Sequence, residues 1–314
     1  MLTRRHIRIK VLQSIYAFDK INLDDLKRQE KFLVYSMEQM RDLHVVMLWL
    51  LVKIQAYAVD QLEKGKKKHL ATQADLNPNT SFVANKVLDY FSNDLSLKTT
   101  VKDRKLDVWE LDDEYVSLLY REMLESEVYQ EYMGLTAPDF EDDKQFIVAL
   151  YKQVIAPNEK LYDYLEDKRL TWLDDYPLVN TGILKMIRQL KPKSTGVRLV
   201  PEMYKNDDDL DFGLALFRKV VLKDNDLTKA VVSKTPNWDK ERIADLDLIM
   251  IKMGISEFLY FPSIPVKVTI NEYLEIAKEY STPKSSIFIN GILDKLVNEY
   301  RENNTLNKIG RGLR

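Results

Sequence analysis

Ile264-Pro265-Val266-Lys267-Val268-Thr269-Ile270-Asn271-Glu272-Tyr273-Leu274-Glu275-Ile276-Ala277-Lys278 is the stretch on which the fold turns. Pro262 and Pro265 punctuate its start, and from Val268 the apolar residues recur at the spacing of one helical face. Upstream, Ile243 to Phe258 has the density and period of a core helix. Downstream, Thr282 as N-cap and Pro283 at the first helical position open a third helix, Lys284 to Tyr300. Within it, Gly291 costs ~1 kcal/mol relative to Ala, so a helix interior keeps such a residue for close packing or for the close approach of a ligand.

Moving outward, the rest of the chain also reads as helix. Its 314 residues hold only 9 Gly and 10 Pro, too few for the many turns of a β-rich fold, and 45% hydrophobic with 31% charged residues is a globular composition. Near the N-terminus Ile7, Val11, Leu12, Ile15 and Phe18 mark a first helix, capped by Thr3 and ending near Asp19. A long helix is expected from about Asp24 to Lys64, stopping at Gly65 in the run Lys64-Gly65-Lys66-Lys67-Lys68, a solvated helix end. Its apolar centre, Val45 to Val52, is far short of the roughly 20 residues that span a bilayer and reads as a buried helix. Shorter helices are expected around Val83–Phe91 and Glu114–Tyr132, separated by polar connections such as Ser96–Arg104. Pro192–Gly196 and Asp207–Asp209 read as loops.

An internal repeat stands out at an offset of 66 residues. Asp142 and Asp143 align with Asp208 and Asp209, Phe146 with Phe212, Leu150 with Leu216, Val154 with Val220, Leu161 with Leu227, Trp172 with Trp238 and Ile183 with Ile249. Helical period alone can align apolar positions. Two of only four tryptophans falling in register argues for duplication of 208–256 in 142–190.

Composition closes most chemical options. There is no Cys, which excludes disulfides, zinc-thiolate sites and thiol nucleophiles. The three His residues (6, 44 and 69) lack metal-ligand spacing, and His44, beside the apolar run, reads as a packed side chain. No Gly-rich phosphate loop, dinucleotide fingerprint or catalytic constellation is present, so no cofactor, no metal and no enzymatic activity are expected. The first residues do not read as a secretion signal and no membrane role is expected, which points to the cytoplasm. With 47 Lys plus Arg against 49 Asp plus Glu, the net charge is −2, and any polyanion site must be a local patch.

One such patch is visible. Arg4, Arg5, His6 and Arg8 occupy the first turns of a helix, where the dipole favours acids by ~0.3–1 kcal/mol per charge. An anionic partner would resolve the conflict, because free N–H groups, dipole and guanidinium forks would all point to the same phosphates. A solvated basic end is the equally balanced alternative. The start of the last helix, Lys284-Ser285-Ser286, offers hydroxyls and one Lys, and on its own is an ordinary cap.

These segments resemble the NusB family. Ile264–Lys278 followed by Phe288-Ile289-Asn290-Gly291-Ile292-Leu293-Asp294-Lys295 is similar to that family's VPxKVAINEAxELAK and FVNGVLDK, in order and without a gap. Arg4-Arg5-His6-Ile7-Arg8 with Gln13, Ile15 and Tyr16 resembles its RRxARxxALQxLY opening, and Phe212 to Val221 looks like its third helix. The resemblance covers residues 1–20 and about 205–300. It implies an all-α helical bundle with N-terminal helices in 1–66, a helical insertion in 67–204, C-terminal helices in 205–300 and a basic flexible tail, 301–314. It further implies a non-enzymatic transcription antitermination factor that binds boxA-type single-stranded RNA of ribosomal RNA transcripts. Its partners would be the small-subunit ribosomal protein called NusE and the transcription elongation complex. Carried over by position, Arg4, Arg5, His6, Arg8, Lys284, Ser285 and Ser286 would contact RNA, and Tyr16, Asp247 and Glu257 the protein partner. Lys284 departs from the family, which often has an acidic residue there; it would tighten phosphate binding or mark a different RNA path. A helical protein-interaction scaffold, or an accessory RNA-binding domain in ribosomal RNA maturation, is the alternative.

Overall fold

The computed structural model describes residues 2–21, 25–192, 197–204, 207–234 and 243–313, among which the regular structure is helical, without a β-strand. In chain order the helices are α1 Arg4–Ile21, α2 Leu26–Lys66, α3 Gln73–Leu76, α4 Lys86–Asn93, α5 Leu95–Asp103, α6 Asp113–Glu125, α7 Glu127–Met133, α8 Phe140–Leu150 and α9 Glu159–Lys168. They continue with α10 Tyr176–Gln189, α11 Asp207–Leu222, α12 Asp224–Ser233, α13 Asp245–Tyr260, α14 Val266–Tyr280 and α15 Ser285–Glu302. The chain forms two compact units, one of residues 1–37 with 203–314 and one of residues 38–202, so the division falls within α2.

In the first unit α13 is the centre. Asp247 and every residue from Ile249 to Phe258 are buried, the signature of a helix surrounded on all sides. Around it pack α1, α11, α12, α14 and α15. Each neighbour turns one apolar stripe inward, as Ile7, Val11, Leu12 and Ile15 do on α1 and Ile289, Leu293 and Leu296 on α15. Where α1 crosses α11 the backbones come close: a Cβ on Gly213 would lie 2.8 Å from Ile7 and 3.0 Å from Met37.

The second unit is built around α8, which meets α4, α7 and α10. Trp109 and Trp172 are buried, and their indole N–H groups donate to the carbonyls of Val46 and Gln39 on α2 at 3.0 Å each. The apolar centre of α2, Val45–Val52, is buried as the sequence indicates. That helix is long and apolar enough to cross a membrane by length and composition, but most of its apolar window faces the protein interior.

Several local expectations differ from the structure. Asp207–Asp209 is not a loop but the first turn of α11, where acids complement the helix dipole. Ser96–Arg104 is mostly α5. Gly291 is exposed with open space around the position of a Cβ, so close packing does not explain it. Residues 305–313 pack against the end of α13: the Ile309 N–H donates to the Pro262 carbonyl at 3.1 Å, and Lys308 Nζ donates to the Glu257 and Phe261 carbonyls at 3.0 Å each. Asp24, Lys193–Gly196 and Trp238 lie outside the described residues.

The 66-residue offset has a structural counterpart. Shifted by 66, α8 with the π-helical turn that follows it, Tyr151–Ile155, covers 206–221, against Asp207–Leu222 for α11. The same shift carries α9 to 225–234, against Asp224–Ser233 for α12. It carries α10 to 242–255, against Asp245–Tyr260 for α13. Asp143 and Asp209 are both buried, and each meets a helix start in its own unit. Asp143 Oδ2 accepts the Lys86 backbone N–H at the start of α4 at 2.9 Å, and Asp209 Oδ1 accepts Arg4 Nε at the start of α1 at 3.2 Å.

Candidate nucleic-acid interface

Helix α1 begins at Thr3, whose hydroxyl faces the His6 N–H at 3.5 Å while its own N–H donates to His6 Nδ1 at 3.1 Å. His6 thus takes the place that Glu or Gln holds in an ordinary capping box. Burial lowers the pKa of its imidazole, and the neighbouring Arg5 charge lowers it further, which favours the neutral ring that such a cap needs. The first turn of α1 contains no acid, and neither do those of α14 and α15, whereas α12 and α13 begin with Asp224, Asp226, Asp245 and Asp247. Helix α14 starts at Pro265 with no side-chain cap. Its first N–H groups are therefore left for another acceptor.

The starts of α1 and α14 border one cavity of about 730 Å3. Arg4, Arg5, His6, Arg8 and Glu272 supply its polar rim, and Ile264, Pro265 and Val268 give it an apolar wall. Arg4 and Arg5 keep 41% and 40% of their side chains exposed. Arg4 leans on the Phe212 ring, 5.1 Å from its centroid. Arg5 is gripped by Glu272 through Nε and Nη2, both at 3.0 Å, and that hydrogen-bonded pair raises its pKa.

Arg8 departs from its expected role as an RNA contact. Only 3% exposed, it donates to both oxygens of Glu257 at 2.6 and 2.8 Å. Glu257 also accepts Thr269 Oγ1 at 3.0 Å and Tyr273 Oη at 2.7 Å, so it receives four hydrogen bonds in the interior. Burial would lower the Arg8 pKa, but the Glu257 charge overrides it and the guanidinium stays charged. Arg8 therefore anchors α1 to α13 and holds the cavity in shape, because its donors are committed inside the protein. Glu257, expected to face a protein partner, is fully buried for the same reason.

The other expected residues are more scattered. Asp247 is buried and accepts Ser281 Oγ at 2.6 Å, so it too ties elements together instead of facing a partner. Ser285 is buried and its hydroxyl meets those of Ser281 and Thr282 at 2.9 Å, whereas Lys284 is exposed and Ser286 half-exposed. None of Lys284, Ser285 and Ser286 lines the cavity. Tyr16 is 38% exposed on α1. Glu272, Asp209 and the Ile264–Pro265 wall were not singled out from sequence. Glu272 and that wall lie inside the decisive stretch itself, and the signal for the carboxylates was the question of which acids neutralise three clustered arginines.

The fold is an all-helical bundle in which arginines gather where the start of α1 meets the uncapped start of α14. The chain belongs to the NusB family. The model of the NusB family matches residues 192–298, and the chain is similar to several proteins named transcription antitermination protein NusB. It is 38% identical over 128 residues to that of Chloroherpeton thalassium, covering 40% of this chain and 61% of the relative. It is 38% identical over 103 residues to that of Salinibacter ruber, covering 33% and 64%. It is 39% identical over 101 residues to that of Finegoldia magna, covering 32% and 73%. The chain thus spans somewhat under two thirds of the first two relatives. No solved structure gives a significant match.

Proposed function

We propose that the protein is a non-enzymatic, cytoplasmic RNA-binding transcription antitermination factor. It binds boxA-type single-stranded RNA of ribosomal RNA transcripts, together with the ribosomal protein NusE, in the elongation complex. The observation that carries the proposal is the cavity where Arg4, Arg5 and His6 meet the uncapped start of α14. The antitermination role draws its support from the names of the relatives.

Arg4 and Arg5 retain donors beyond those given to Asp209 and Glu272, and a guanidinium has five. They would take phosphate oxygens, which position the strand, while the apolar wall would receive a base. Lys284 and Ser286 at the start of α15 would extend the path, and Tyr16 would serve the protein partner. In the same proposal, residues 142–190 repeat 208–256. Support comes from the shared helix register and from the buried Asp143 and Asp209, each meeting a helix start.

Fluorescence anisotropy with a boxA-type RNA, with and without NusE, tests the function. Arg5→Ala is expected to weaken binding by about 1–3 kcal/mol if its contact is charged and partly desolvated. Arg4→Ala together with Arg5→Ala leaving the affinity unchanged would sink the assignment and favour a protein-interaction scaffold.

A further inference from the structure

Each arginine at the start of α1 faces a carboxylate: Arg4 meets Asp209, Arg5 meets Glu272 and Arg8 meets Glu257. Asp209 and Glu257 are built into the interior, with side chains 8% and 0% exposed. Glu272 is different. It lines the cavity and is 20% exposed. Its two oxygens occupy the Nε and Nη2 edge of Arg5, and one of them lies 3.6 Å from Arg8 Nη1.

We propose that Glu272 is the specificity-determining residue of the cavity, a resident competitor that a ligand must displace or outbid for the Arg5 guanidinium. The proposal rests on the RNA-binding function argued above. Carboxylate and phosphate present the same paired oxygens to a guanidinium. A part-exposed pair of this kind is weak enough to exchange. A generic polyanion offering only phosphates would trade one ion pair for another while approaching the Glu272 charge, and would gain little. A ligand that also fills the wall of Ile264, Pro265 and Val268 would bind with a surplus. Discrimination then comes from a built-in repulsion as much as from attraction. The raised pKa of Arg5, due first to its hydrogen bonds with Glu272, agrees with a pair formed in the free protein. Glu275, on the same helix, adds to the negative field at Arg5 but is paired with Lys278 at 2.6 Å, which makes it the natural control.

The test titrates the full chain with a single-stranded oligo(U) and with a boxA-type RNA, for Glu272→Gln, Glu275→Gln, Arg5→Ala and the Arg5→Ala/Glu272→Gln double variant. Circular dichroism verifies that each is folded. Glu272→Gln is expected to tighten oligo(U) binding about two- to fivefold and to steepen its log K against log salt by about 0.7, the value of one more neutralised phosphate. The boxA-type RNA should change less, so the preference for it narrows. Glu275→Gln should do neither, and Glu272→Gln should have a much smaller effect once Arg5 is Ala, with only the charge repulsion left to relieve. Unchanged or weaker oligo(U) binding by Glu272→Gln overturns the proposal, because Glu272 would then only hold Arg5 in position. Equal tightening by Glu275→Gln, or in the Arg5→Ala background, also overturns it. Arg5→Ala binding both RNAs undiminished would instead remove the RNA-binding function itself.

Discussion

Removing the Arg8 guanidinium would strand a carboxylate that otherwise accepts four hydrogen bonds with none of its surface in water. Breaking one side of such a buried pair costs about 3–5 kcal/mol. Arg8→Met is therefore expected to lower stability by that amount in urea denaturation, whereas Arg5→Ala, at the exposed pair, should lower it by less than about 1 kcal/mol. His44 sets a pH limit in the second unit. Its Nε2 lies 3.0 Å from the Leu199 carbonyl, and its buried Nδ1 meets no hydrogen-bond partner among the described residues. Burial lowers its pKa to about 4 from an ordinary 6.5. Above pH 6.5 the imidazole is neutral folded or unfolded and stability is full. As pH falls from 6.5 towards 4 only the unfolded chain takes the proton, so up to about 3 kcal/mol is lost. His44→Gln should flatten that part of the stability curve.

Two helical glycines make opposite predictions at the scale of elements. Gly213→Ala would drive a methyl group into Ile7 and Met37 where α1 crosses α11. It should cost about 1–3 kcal/mol. Gly291→Ala meets nothing on α15 and should raise stability by up to ~1 kcal/mol in thermal unfolding. If it also weakens RNA binding, the missing side chain makes room for a ligand. Helices were legible where they bury long periodic stripes: α13, α14 and α15 fall within a few residues of the stretches their periodicity marks. Not every short one was. Helix α5 buries only Leu97 and Val101, and its start is set by Asp94, whose carboxylate accepts the Leu97 N–H at 2.7 Å. Two apolar residues four apart carry no visible period. The acidic start of α11 reads as a loop because consecutive Asp residues favour turns and helix starts alike, and only the apolar face that follows decides.

For the whole molecule, a net charge of −2 leaves no long-range attraction for RNA, and affinity at the cavity must arise from the exposed cations beside it. With Arg8 committed to the interior, Arg4 and Arg5, joined at most by Lys284, would neutralise two or three phosphates. The slope of log K against log salt is then expected near −1.4 to −2.1. A slope several times steeper would place the RNA on another surface. The same topology explains what sequence could not show of the site. The arginines were conspicuous as misplaced charges at a helix start. Their partners Asp209, Glu257 and Glu272 lie 205, 249 and 267 positions away in the chain, and no local pattern links them. Lys308 has a practical counterpart to these distant pairings. Its ammonium, with a pKa lowered to about 8 by burial, closes the carbonyl end of α13, and Gly312 sits where a Cβ would meet the Pro262 oxygen at 1.9 Å. Residues 305–313 thus brace, from behind, the Pro262–Pro265 corner that walls the cavity, and loosening them would loosen that wall.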